Sequence, residues 1–215
     1  MSHSEITEAL GRLDDLTRRL RVECPWDREQ DERTIVPHTV EEAYELADAA
    51  HARDDAKLLD ELGDVLFQVH FLSLLLEERG AGDLAAVAEH CRRKLIRRHP
   101  HVFGDVEAES AREVLRNWDQ IKAGEEGREP GIFGDVPENL PALLHARKMQ
   151  RRAASAGLDE RAGDALAEAD RDAAFEDIGE RLFALVDEAR RLRVDPELAL
   201  RAASKRYRDR IETGS

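Results

Sequence analysis

Leu58-Leu59-Asp60-Glu61-Leu62-Gly63-Asp64-Val65-Leu66-Phe67-Gln68-Val69-His70-Phe71-Leu72-Ser73-Leu74-Leu75-Leu76 decides the architecture of this chain. Leu58, Leu62, Val65, Leu66, Val69, Leu72 and Leu76 recur at steps of three and four, which gathers them into one stripe of an α-helix. Asp54-Asp55 can cap that helix, and Gly80 marks its end. Its greasiest run, Val65 to Leu76, is 12 residues long and carries Gln68, His70 and Ser73, too short and too polar to span a bilayer.

The same period continues on both sides. Ile6, Leu10, Leu13, Leu16 and Leu20 predict a helix over about 4–22, which Cys24-Pro25-Trp26-Asp27 interrupts. A second helix is expected from Pro37 to about Ala52. Further helices are expected over 83–98, stopped by His99-Pro100, and over 110–123. The Gly- and Pro-bearing stretch 124–141 reads as a linker. Helical pattern resumes over 142–156, 162–192 and 195–211, and no alternating strand pattern of useful length is found. The expected fold is all-α, a helical-hairpin arrangement resembling a four-helix bundle.

Composition narrows the function. The chain has 215 residues, 37% charged, 41% hydrophobic and 5% aromatic. With 33 basic and 47 acidic residues the net charge is −14, a field that repels nucleic acid and anionic membranes, so neither is an expected partner. An anionic substrate can bind only where cations collect locally. Cys24 and Cys91 form no CxxC pair, so neither a disulfide scaffold nor a cysteine zinc site is supported. The N-terminus lacks a basic region followed by an apolar stretch, and a cytoplasmic location is expected.

The C-terminal part echoes what precedes it. Asp60-Glu61-Leu62-Gly63-Asp64-Val65-Leu66-Phe67 is matched by Glu176-Asp177-Ile178-Gly179-Glu180-Arg181-Leu182-Phe183, and Lys94 to Arg98 by Lys205 to Asp209, in the same order. An internal duplication is the reading favoured over the shared look of charged amphipathic helices.

Acidic residues carry the chemistry. Glu41, Glu42 and Glu45 fall within roughly a 100° arc of the second helix, and Glu61 and Asp64 share a face of the next. A short connection makes these helices antiparallel neighbours, so the two acidic faces can meet. At about 4 Å and an effective dielectric near 20, each like-charged pair opposes folding by ~4 kcal/mol. A hard divalent cation with oxygen ligands offsets that, and Mg²⁺ suits a carboxylate-plus-phosphate site. Any five acidic positions with a variable gap would occur roughly once or twice by chance. The strict pattern, Glu-Glu-x-x-Glu then Glu-x-x-Asp, is expected only ~0.1 times. The competing reading is a solvated acidic helix face. A ferritin-like di-iron bundle would need Glu-x-x-His on inward faces, and no Glu here has His three residues on. No His-Asp doublet supports a phosphohydrolase of that type.

Cys24-Pro25-Trp26-Asp27-Arg28-Glu29-Gln30, Glu41-Glu42-Ala43-Tyr44-Glu45, Glu61-Leu62-Gly63-Asp64, Lys94-Leu95-Ile96-Arg97-Arg98-His99-Pro100-His101-Val102-Phe103 and Trp118 with Ile121-Lys122 together resemble the MazG family of nucleoside triphosphate pyrophosphohydrolases. The order and spacing agree through about residue 123, and more weakly to the C-terminus. The resemblance implies an all-α MazG fold with a helical-hairpin core, usually dimeric. It implies Mg²⁺-dependent cleavage of a nucleoside triphosphate to the monophosphate and pyrophosphate, with Mn²⁺ as a substitute ion. It assigns the metal to Glu42, Glu45, Glu61 and Asp64, with Glu41 adjoining. Longer members carry two acidic motifs. Here the second has Asp177 and Glu180 where Glu and Asp are expected, and Glu168-Ala169-Asp170-Arg171-Asp172 matches Glu-Glu-x-x-Glu poorly. The expected organisation is a catalytic helical domain over 1–123, a linker over 124–141 and a degenerate second repeat over 142–215.

Individual roles follow as expectations. Glu41, with Glu45 as competitor, is expected to accept the proton of the attacking water. Lys94, Arg97 and Arg98 share one side of their helix and either hold the triphosphate or complement the helix dipole. Trp118 either stacks on a base or belongs to the core, with Lys122 one turn on. Trp26 is expected to anchor the loop before the second helix, and Gln30 to help orient substrate. A single hairpin leaves an apolar flank exposed, so a homodimer is expected. The functions to compare are a broad nucleotide house-cleaning hydrolase, a hydrolase selective for one nucleotide, and a catalytically silent helical regulator that binds nucleotide or protein.

Overall fold

The computed structural model describes residues 2–127, 129, 131–134, 136–158 and 167–213. The described residues form α-helices and no strand. In chain order these are α1 (His3–Glu23), α2 (Pro25–Glu29), α3 (Glu32–Ala52), α4 (Asp55–Glu78), α5 (Leu84–Arg98), α6 (Pro100–Phe103), α7 (Ala111–Ala123), α8 (Ala142–Ser155), α9 (Glu168–Leu192) and α10 (Pro196–Thr213). The all-α expectation holds. None of these helices is long and apolar enough to cross a membrane.

Two details differ from the periodic reading. The segment after Cys24 is not a plain interruption but a five-residue helix with Pro25 at its first position, where a missing N–H costs nothing. And α3 begins at Glu32 rather than Pro37. Asp31 caps it by accepting from the Arg33 and Thr34 amides, while the Thr34 hydroxyl accepts from the Asp31 amide. Together with burial of Ile35, this cap outweighs the single helical hydrogen bond that Pro37 removes. The expected helix start at Ala162 lies outside the described residues.

The chain forms two compact units, Met1–Leu95 and Ile96–Ser215. The expected linker and second repeat both fall within the second.

The first unit is built on the α3–α4 hairpin. Arg53 closes α3 in the left-handed conformation (φ 54°), its N–H reaching the Ala49 and Ala50 carbonyls. Asp54 at once caps α4 by accepting from the Ala56 and Lys57 amides. So tight a turn fixes the register, because residues equally far from it in sequence meet across an antiparallel pair. Ile35 and Phe71, each 18 residues from Arg53, pack together with Leu75 in the core. Phe67 and Leu72 flank them, and the Thr39 hydroxyl donates to Gln68 Oε1 at 3.4 Å. Helix α1 lies along α4, tied by Arg18 to Glu77 and Arg21 to Glu78.

The second unit packs α8 against α10 and α7, and α10 also meets α9. Its core is Phe133, Val136, Met149 and Ala153, with Ile132, Tyr207 and Ile211 packed on it. Arg201 binds the segment before α8 by donating to the Glu138 and Leu140 carbonyls, both at 2.6 Å.

Candidate active site

The hairpin register that buries Ile35 against Phe71 also determines where the carboxylates go. Glu42 and Asp64 each lie 11 residues from Arg53, and Glu45 and Glu61 each lie 8 from it. The acidic residues of α3 therefore face those of α4 in two successive layers. Oxygens of Glu42, Glu61 and Asp64 come within 4.8 Å of one another. Glu61 is buried, Glu42 half-buried and Asp64 exposed, so the cluster opens to solvent on one side.

Electrostatics record the crowding. Burial pushes the Glu42 carboxyl above its ordinary value, and Asp64, Glu45, Glu61 and Glu41 push it further. Glu61 is likewise raised, first by burial and then by Glu45, with Lys57 opposing and Asp64 and Asp60 adding to the rise. Glu45 thus acts electrostatically on both residues, although its carboxylate falls outside the group of three. Oxygen donors gathered at this spacing, with like charge unbalanced, fit a hard divalent cation. Among the described residues no other such group of His, Cys, Asp or Glu occurs.

Glu41 stands beside the cluster with its side chain exposed. It meets His38 Nδ1 at 3.1 Å, and the His38 ring packs edge-on against Trp26 at 5.7 Å between centroids. Trp26 belongs to α2, whose loop is held from α1: Arg21 donates to the Asp27 and Gln30 carbonyls, is fixed by Glu78, and lies over the Phe71 ring. The Gln30 side chain donates to the Trp26 carbonyl at 2.9 Å. The 24–30 segment is thus tied to α3 and α4, with Gln30 turned inward on its own loop. Arg21 and His38 were not singled out in the sequence, because their partners are backbone carbonyls and a neighbouring acid that spacing does not mark.

Lys94 is half-buried in the penultimate turn of α5. In the second unit the next two cations converge on one acid. Arg97 Nη2 meets Glu125 at 2.6 Å and Arg98 Nε meets the same oxygen at 2.9 Å. Arg98 is buried, and its guanidinium carbon lies 5.3 Å from the centroid of the Trp118 ring, which His99 meets edge-on at 4.9 Å. The paired arginines hold the Glu125 carboxyl at about 2, well below the usual carboxylate range. Trp118 and Lys122 both lie on α7 and are half-buried. On α9, Asp177 pairs with Arg181 at 3.1 Å.

An all-helical chain with carboxylates converging across an antiparallel helix pair defines the class of helical proteins built around a divalent-cation site. Residues 30–103 match the MazG nucleotide pyrophosphohydrolase domain, a span that holds the acidic cluster, Lys94, Arg97 and Arg98. The chain is 39% identical to the nucleoside triphosphate pyrophosphohydrolase of Escherichia coli (strain K12), over 94% of this chain and 85% of that one. It is 38% identical to the nucleoside triphosphate pyrophosphohydrolase/pyrophosphatase MazG of Thermotoga maritima, over 88% of this chain and 78% of that one. With a nucleoside triphosphate pyrophosphohydrolase of Mycobacterium tuberculosis it shares 34% identity, over 71% of this chain and 46% of the relative. The chain belongs to the MazG nucleotide pyrophosphohydrolase family.

Proposed function

We propose that the protein is a Mg²⁺-dependent nucleoside triphosphate pyrophosphohydrolase that cleaves the bond between the α and β phosphates, yielding a nucleoside monophosphate and pyrophosphate. The observation that carries this reading is the convergence of Glu42, Glu61 and Asp64 across the α3–α4 hairpin. The names of the relatives support the reaction. Glu42, Glu61, Asp64 and Glu45 are the residues to hold Mg²⁺, with Mn²⁺ able to substitute. When bound, such an ion neutralises triphosphate charge and makes the attacking water more acidic.

The chain's own groups then have assigned tasks. Glu41 accepts the proton of the water whose oxygen attacks the α phosphorus, as the bridging P–O bond breaks and pyrophosphate leaves. Its exposure, and the His38 nitrogen that fixes its carboxylate at 3.1 Å, support that role over Glu45, whose charge faces Glu61. Lys94, Arg97 and Arg98 are proposed to supply positive charge for the phosphates. Arg98, engaged by Glu125, is the best placed of the three to fix Trp118. Trp118, Lys122 and Gln30 are proposed to meet the rest of the substrate.

The second repeat is proposed to be a degenerate copy over 142–215, following the catalytic portion 1–123 and a linker 124–141. Exposed apolar side chains on α4 (Leu62, Leu66, Val69) and α3 (Val36, Val40, Tyr44) support a homodimer built on the first hairpin. We assign the protein to nucleotide-pool house-cleaning in the cytoplasm, with no nucleic-acid or membrane partner.

Product analysis tests this. Purified protein is incubated with NTPs and dNTPs, in Mg²⁺ or in EDTA, beside Glu42→Ala and Asp64→Ala. Metal-dependent monophosphate plus pyrophosphate, lost in both variants, is the expected result. Diphosphate plus phosphate would show that the wrong bond was assigned. Absence of all turnover, with Mg²⁺ still bound, would make the protein a silent regulator.

A further inference from the structure

The proposed base stands on the outside of α3, where little of the fold holds it. The Glu41 side chain is 66% exposed, and among the described residues its hydrogen-bond partner is His38 Nδ1, which donates at 3.1 Å. His38 is itself 44% exposed and lies one turn away on the same helix, so this bond alone leaves both side chains free to swing together. What restrains the pair comes from another element. The Trp26 ring meets the His38 ring edge-on, with 5.7 Å between centroids.

Trp26 needs support of its own. Its helix, α2, has five residues, too few to be stable alone, and its C-terminal carbonyls lack the partners that a longer helix would supply. Arg21 of α1 meets both needs. Its Nη1 donates to the Asp27 and Gln30 carbonyls, while Nε and Nη2 hold the two carboxylate oxygens of Glu78 on α4 at 2.8 and 2.9 Å. The guanidinium also lies 5.8 Å from the centroid of the Phe71 ring. Phe71 packs on Ile35 in the core that sets the hairpin register, and that register places Glu42, Glu61 and Asp64. One side chain thus ties the 24–30 segment to the same core that positions the carboxylate cluster. A planar fork of five donors can do this. A lysine ammonium, a compact point charge, cannot reach two carbonyls and both oxygens of a carboxylate at once.

We propose that Arg21 is a positioning residue for the hydrolysis: through Trp26 and His38 it fixes where the Glu41 carboxylate sits relative to the cation cluster. This role rests on the reading of Glu41 as the base. A displacement of about 1 Å in a reacting group costs on the order of 10²-fold in rate. Such a displacement leaves the metal and substrate contacts in place, so the loss belongs in kcat rather than in KM or in Mg²⁺ binding.

A double-mutant cycle on the full chain with Mg²⁺, assayed well below the unfolding temperature, tests the role. Arg21→Met is expected to lower kcat by about 10–100-fold, to change KM by less than about threefold and to keep the Mg²⁺-induced thermal shift. In the Glu41→Gln background there is no base to place, and the same substitution is expected to change the residual kcat by less than about twofold. His38→Phe, at an exposed position outside the core, is expected to repeat this pattern, and His38→Asn, which keeps a donor near Nδ1, to recover most of the rate. Fluorescence gives a readout that needs no turnover. In Trp118→Phe, Trp26 is the remaining tryptophan, and adding Arg21→Met is expected to raise its quenching by acrylamide. Equal kcat losses with and without Glu41, a change confined to KM, or unchanged quenching of Trp26 would each overturn the role of Arg21. A wild type that releases no monophosphate would remove the hydrolase reading and the role with it. A wild type that turns over beside an Arg21→Met that keeps its kcat would leave that reading intact and overturn the role alone.

Discussion

Glu125→Gln removes one negative charge and leaves a side chain of the same shape between Arg97 and Arg98. The consequence can be worked from the structure. The Glu125 side chain is 13% exposed and its carboxyl is held at about 2 against an ordinary 4.5. That difference corresponds to about 3 kcal/mol at neutral pH. Arg97 is 54% exposed, so solvent screens its share, and about 2 kcal/mol is the better expectation. The sign of the pH dependence follows from the depressed value. The stabilisation is present above 4.5 and is lost as pH falls towards 2, by about 1 kcal/mol over the first full unit below 4.5. Urea unfolding of the wild type and Glu125→Gln at pH 7 and pH 3.5, followed by circular dichroism, reads both quantities. The variant is expected to be about 2 kcal/mol less stable at pH 7, with the gap narrowed by about 1 kcal/mol at pH 3.5. Equal midpoints at pH 7, or a gap that does not change with pH, would refute the assignment of Glu125 as the anchor of the two arginines.

Four further outcomes are expected. Saturating Mg²⁺, at about a hundred times its dissociation constant, raises wild-type stability by about 2.7 kcal/mol, a thermal shift of roughly 5–10 °C; scanning calorimetry should find this increment missing in Glu61→Gln. In EDTA, the raised Glu42 and Glu61 carboxyls make the folded state favour the protonated form. Stability therefore grows as pH falls through the raised values towards 4.5 and is lost as pH rises through them; a thermal-melt series in which Glu42→Gln keeps the full wild-type slope would count against the cluster. Glu41→Gln lowers kcat by roughly 10²–10⁴-fold while the Mg²⁺-induced thermal shift persists, and an unchanged kcat in a steady-state assay would hand the base role to Glu45. The double substitution Leu62→Glu, Leu66→Glu converts the proposed dimer to a monomer in sedimentation velocity, and a wild type that already sediments as a monomer removes the dimer proposal.

What was legible in the sequence is what a local period can encode. The stripe from Leu58 to Leu76 is visible as α4 because the helical repeat is a property of neighbouring residues. The approach of Glu42 to Asp64 is also readable, since a short turn pairs positions equally far from it. The start of α3 was harder. Pro37 is a recognised helix opener, but the Asp31–Thr34 capping box lies upstream of it, starts the helix at Glu32 and determines the boundary instead. Partners of long charged side chains were not legible at all. With 47 carboxylates available, nothing in the spacing of Arg98 selects Glu125, which is 27 residues away and brought near only by tertiary structure. The same holds for Arg21, whose reach to the Asp27 and Gln30 carbonyls depends on how α2 folds back.

The acidic cluster itself is a conflict between two levels of the same hairpin. The apolar register must place Ile35 against Phe71, and a slip that separated Glu42 from Asp64 would also pull that core apart. The packing therefore forces like charges together, and the raised Glu42 and Glu61 carboxyls record the resulting repulsion. A sequence selected for stability alone would place a neutral or basic residue at one of these positions, as Arg181 pairs with Asp177 on α9. Local inconsistency of this kind, held in place by a consistent core, is the arrangement expected where a cation completes the charge balance. It follows that replacing Glu61 by Gln should make the metal-free protein more stable and the metal-loaded protein less so, a reversal of sign that neither a merely solvated acidic face nor a simple packing role would produce.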